Sequence, residues 1–85
     1  RGTLLSVARL HGFDAEVVEL VAEPKAPITR RPLYKQDKLK GKFIIGGFLR
    51  DDKWQIAVGS TQVQPGEPVI AICGSSDLGE LQSLF

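Results

Sequence analysis

Hydrophobic and polar positions divide the chain into short runs separated by strong breakers. Residues 3–9 (TLLSVAR) are apolar and brief, and His11-Gly12 interrupts them. Residues 14–22 (DAEVVELVA) alternate, with Ala15, Val17, Glu19 and Val21 on one side and Glu16, Val18, Leu20 and Ala22 on the other. Their valine content predicts a strand, the alternative being a helix of just over two turns. Pro24 and Pro27 end any regular element there. Residues 28–39 predict a single short helix or turn with Pro32 in its first turn, closed by Gly41.

Two apolar runs follow, joined by a charged turn. Phe43–Leu49 predicts a strand apolar on both faces, of the kind usually covered on both sides. Asp51-Asp52 predicts a tight turn. In the return run Trp54, Ile56 and Val58 alternate with Gln55 and Ala57, which predicts one buried face. Gln64-Pro65-Gly66-Glu67 predicts a further turn, with proline setting φ at its second position and glycine supplying positive φ at its third. Val69–Cys73 is wholly apolar and predicts a central strand. Ser75–Phe85 predicts a helix with a serine cap, acidic groups in its first turn, and Leu78, Leu81, Leu84 and Phe85 along one stripe. The sum is an α+β fold: a small, antiparallel-rich sheet of four to five strands with a C-terminal helix packed on one face.

One feature resists this scheme. Gly46 and Gly47 sit in the middle of an apolar strand, where glycine costs backbone entropy and packs nothing. Two explanations stand open. A second backbone or a ligand approaches the strand there, or the pair forms a β-bulge or tight twist that needs no partner.

Composition narrows the function classes. Eighty-five residues make one small domain, 1–85. A chain of that size buries only about 60–65% of its unfolded surface, so its core is marginal. The single Cys73 and single His11 leave no internal disulfide and no Cys/His zinc site. A small fold without such staples is often completed by a partner surface, so self-association is expected. The chain opens at Arg1 with no methionine, secretory leader or membrane-spanning run, and reads as a piece of something longer. Net charge is +1, yet residues 30–42 carry six Lys/Arg against Asp37 alone, leaving the remainder at −4. That segment is either a solvated surface or an anion contact. With Tyr34 as its one aromatic, it lacks the stacking series of single-strand binders.

No catalytic constellation is legible. Asp51-Asp52 lies in a turn open to water, Cys73 sits among core-type residues, and no glycine-rich phosphate loop occurs. The expectation is a binding and regulatory domain rather than an enzyme.

Taken in order, these pieces resemble the TrkA C-terminal (RCK C-terminal) family over nearly the whole chain. Leu4–Arg9 with Asp14–Glu19 resembles the passage from a preceding domain into the first strand, making residues 1–12 a lead-in. Arg31-Pro32-Leu33, Ile44–Asp51, Gln62–Glu67 with Val69-Ile70, and Gly74–Leu78 through Leu84-Phe85 resemble the later motifs. Departures are Arg30 in place of a glycine, Asp51-Asp52 in place of Asp-Gly, Glu67 in place of aspartate, and Ala57–Ser60 without the usual proline and acid. The resemblance implies a cytoplasmic, non-catalytic domain that forms a homodimer, follows a nucleotide-binding RCK domain, and regulates a membrane potassium transporter subunit or a cation antiporter from the inner face of the membrane. It implies no resident cofactor or metal, but a nucleotide-type effector such as cyclic di-AMP in the cleft between copies. Ile44, Ile45 and Arg50 are then ligand contacts, and Phe43, Gly46, Gly47 and Phe48 interface residues. The alternative from a different class is an anion- or nucleic-acid-binding module using residues 30–42.

Overall fold

The computed structural model describes residues 2–12 and 14–85; Arg1, at the head of the expected lead-in, and Phe13 lie outside the described residues. Five antiparallel strands form one sheet: β1 (Thr3–Arg9), β2 (Ala15–Val21), β3 (Phe43–Arg50), β4 (Lys53–Ile56) and β5 (Pro68–Gly74). Their spatial order is β1-β2-β5-β3-β4, so the wholly apolar β5 is central. One short helix, α1 (Leu78–Gln82), follows. The fold is α+β, as the residue pattern predicts.

One face of the sheet carries the core. Val18 and Leu20 from β2, Val69, Ala71 and Cys73 from β5, and Phe43 and Phe48 from β3 are all buried. Ile28, Leu39, Val63, Leu81, Leu84 and Phe85 cover them from the loops and the C-terminal segment. Burying such a side chain fully is worth about 1.5–3 kcal/mol. The strand reading of residues 14–22 therefore holds: Val18, Leu20 and Ala22 turn inward. Within the expected lead-in, residues 3–9 form β1, which pairs along its length with β2.

The loops are pinned rather than helical. Residues 27–39 form three successive 3₁₀ turns, at Pro27–Thr29, Leu33–Lys35 and Asp37–Leu39, in place of one helix. The Gln36 side-chain amide donates to the carbonyls of Ile28 and Arg31, at 3.2 and 2.9 Å, and so ties the first turn to the others. Gly41 closes the segment with φ of +76°. Gly66 adopts φ of +85° and the Glu67 N–H donates to the Gln64 carbonyl, as the Pro-Gly signal predicts.

Three expectations are corrected. The C-terminal helix is one short element after a 3₁₀ turn at Ser75–Asp77. No serine caps it, and the Ser75 hydroxyl is buried without a partner. Gly79 within so short a helix disfavours its extension. The apolar stripe nevertheless packs as predicted, with Leu81, Leu84 and Phe85 buried.

The strand 43–50 is not covered on both sides by its own chain: Ile44 is 61% exposed. Nor does the return strand bury its apolar row. Arg50 pairs with Lys53 across a two-residue loop, and this register places Trp54 opposite Leu49 and Ile56 opposite Gly47. Directly opposed residues share a face, so the row lies on the side away from the core. Asp51 and Asp52 hold φ of +54° and +61°, the left-handed pair of a type I′ hairpin. Among the described residues no helix is long and apolar enough to cross a membrane.

Candidate functional site: the open face of the sheet

The sheet has one covered face and one open face, and the open face is largely apolar. Register assigns it Ile44, Gly47 and Leu49 from β3, Ile70 and Ile72 from β5, Val17 and Glu19 from β2, and Trp54 and Ile56 from β4. Trp54 is 49% exposed and Ile56 82%. A lone exposed hydrophobe needs no explanation, but a contiguous apolar patch usually marks a contact surface.

The two glycines shape its centre. The β3–β5 register shifts between Ile45 and Gly47, which makes Gly46 the extra residue of a β-bulge. This bulge lets Phe43, Ile45 and Phe48 share one face despite their odd spacing. It also turns Gly47 to the open side, opposite Ile70 and Ile56. A Cβ on Gly47 would lie 2.8 Å from the Gln55 carbonyl oxygen, closer than real Cβ contacts. At Gly46 the nearest such contact is Ile70 O, at an ordinary 3.7 Å. The chain's own β4 backbone thus requires glycine at 47. The result on the open face is an apolar notch of about 280 Å³ lined by Gly46, Gly47, Trp54, Gln55, Ile56 and Ile70.

The residues that the resemblance points to do not converge. Ile44 stands on the open face. Ile45 is half-buried and packs on the core from the other side. Phe43 and Phe48 belong to the core itself. Gly46 and Gly47 line the notch. Trp54, Ile56 and Ile70 join this face although the sequence pattern alone does not point to them; the signal for them is the alternation 54/56/58 taken with the two-residue turn, whose register sets Ile56 opposite Gly47 and so outward.

Arg50 is already engaged. Its Nε and Nη2 form a two-pronged pair with Glu67, Nη2 to Oε1 at 2.9 Å, and Nη2 also reaches the Gln62 carbonyl at 3.1 Å. Glu67 Oε1 accepts the Gln64 N–H at 3.1 Å, and the guanidinium lies over the Phe48 ring at 4.7 Å. The two groups stabilise each other's charge: hydrogen bonding to Arg50 holds the Glu67 carboxyl below its ordinary value, and the same bond raises Arg50. This clamp ties the end of β3 to the 62–67 turn.

Reactive side chains are few. Cys73 is buried in the core, and burial, then the nearby Glu16 and Asp77 charges, push its thiol pKa up. Among the described residues no three His, Cys, Asp or Glu side chains are grouped so as to hold a metal ion. No protein-family model matches the chain, and none of the curated proteins compared with it matches either.

Proposed function

We propose that the chain is a regulatory dimerisation domain of a TrkA-like potassium transport subunit, as its motifs suggest, and that a second copy covers the open face. One observation carries this reading: Ile44, Ile56, Trp54, Ile70 and Ile72 form a continuous apolar surface that the chain itself leaves uncovered. A standard interface takes about 800 Å² per partner. Against a total accessible surface of 5224 Å² that is a modest share, within reach of one face of a five-stranded sheet.

The domain acts by binding, not by catalysis. A nucleotide-type effector such as cyclic di-AMP regulates it by favouring one dimer arrangement over another, which requires unequal affinity for the two. Ile44 contributes apolar contact. Ile45 and Arg50 enter the ligand site only if the dimer brings them to it, and a phosphate at Arg50 competes with Glu67. The domain works at the inner face of the membrane, after a nucleotide-binding domain and beside a transporter subunit.

Light scattering over a concentration series tests the first step. The wild-type chain is expected to dimerise, and Ile56→Lys and Ile44→Lys to remain folded monomers. A wild-type chain that stays monomeric throughout, with or without cyclic di-AMP, defeats the proposal.

A further inference from the structure

A second concave surface lies on the other side of β3. Its floor is apolar, made by Leu33, Leu39, Phe43, Ile45 and Ala57, and its rims are Tyr34 and Val58. The groove encloses about 320 Å³ and is shallow. Tyr34 and Val58 are 57% and 58% exposed, so the rims offer uncovered apolar surface too. Phe43 and Ile45 share the core face of the sheet, which sets this groove apart from the notch over Gly47.

The segment 30–42, which gives the groove Leu33, Tyr34, Leu39, Lys40 and Gly41, is basic, and much of its charge is unspent. Within residues 30–42, Lys42 is paired with Glu80, Lys40 with Asp37, and Arg30 donates to the Lys25 carbonyl. Arg31, Lys35 and Lys38 are exposed and have no acidic partner among the described residues. Lys35 instead sits over the Tyr34 ring, 5.7 Å from its centre. The Lys40–Asp37 pair is exposed on both sides and is easily exchanged.

We propose that this groove docks an acidic peptide segment that places one apolar side chain on the Leu33–Phe43–Ala57 floor and its flanking carboxylates against Arg31, Lys35 and Lys38. Charge complementarity and shape select this occupant. A small molecule in so open a groove would leave much of its surface wet, whereas good ligand sites bury most of it. A peptide compensates through its flanking residues. A bilayer cannot follow a concave floor, and a single exposed tyrosine gives no platform for successive bases. An anchored apolar side chain ringed by steering charges is the ordinary anatomy of a peptide hot spot.

The test is fluorescence anisotropy with the 85-residue chain and a labelled peptide bearing Phe-Leu flanked by glutamates. Saturable binding is expected that weakens with added salt and is lost when Phe-Leu becomes Ala-Ala or the glutamates become lysines. Lys35→Glu with Lys38→Glu should weaken it about tenfold, as should Val58→Glu. All three positions are exposed, and unchanged thermal melts confirm that the variants fold. Ile44→Lys, on the opposite face, should leave peptide binding intact, which separates this site from the dimer surface. The proposal is overturned by no saturable binding, by equal binding of the lysine-flanked peptide, by indifference to the groove variants, or by tighter binding of a single-stranded oligonucleotide or phosphatidylserine vesicles.

Discussion

Gly47 and Gly46 look equivalent on paper and are not. A methyl group at 47 would press on the Gln55 carbonyl at 2.8 Å, and that backbone is held by the β3–β4 ladder. Gly47→Ala is therefore expected to destabilise by about 1–3 kcal/mol. Gly46→Ala meets only an ordinary contact and should cost less than about 1 kcal/mol. Urea denaturation of the two variants gives the ranking; equal losses would refute the close-approach argument. The sequence exposed the anomaly but not its cause, because the clash comes from a strand whose register depends on the following turn. Phe48 did hold a clue: it breaks the period of two set by Phe43 and Ile45, which is what a bulged residue between them does. Glu67 was legible only as a turn residue, since its partner Arg50 is distant in sequence. With its folded pKa below the ordinary 4.5, Glu67 contributes stability that is present above that value and lost as pH falls through the folded pKa. Glu67→Gln should cost about 1–2 kcal/mol at neutral pH and flatten the acid limb of a stability–pH curve, read by thermal melts.

At the level of elements, the hairpin and the helix invite opposite comments. The Asp51-Asp52 turn was legible, but its hand was not, because aspartate enters several turn types. Both residues hold left-handed backbone at a cost that glycine escapes. Asp52→Gly should raise stability by about 0.5–1 kcal/mol without changing the β3–β4 register, seen as a higher melting temperature. The predicted helix lost most of its length because an apolar stripe recurring every three residues suits a 3₁₀ turn and a short α turn alike. Gly79 is exposed with no atom near its missing Cβ, so Gly79→Ala should stabilise α1 by up to about 1 kcal/mol. The three turns of residues 27–39 were the least readable part. Their order comes from Gln36 and from the Gln62 side chain donating to the Thr29 carbonyl, long-range bonds that no local pattern announces.

The whole molecule is a sheet with half its surface solved. Strand count and the central strand followed from the apolar runs and their breakers, but core membership did not: β2 carries one glutamate on each side, β5 is wholly apolar, and the β4 alternation faces outward. What the sequence left undecided was the outward side, where an apolar row reads the same whether its own chain or another covers it. Ile44, Trp54 and Ile56 leave that face apolar and exposed, while Arg31, Lys35 and Lys38 lie on the loop segment that lines part of the groove on the other side. The two surfaces answer to different solution conditions. Contact through the open face should survive added salt, and attraction to the basic loops should fade with it.

Cys73 gives this architecture a built-in clock. The lone thiol sits on the central strand, sealed between β2 and β3 and made still less reactive by its raised pKa. Reagents such as dithionitrobenzoate should reach it only when the loops and C-terminal segment that cover the core face lift away. The colour released with time then counts openings of that cover, one sulfur per molecule, with no engineered probe.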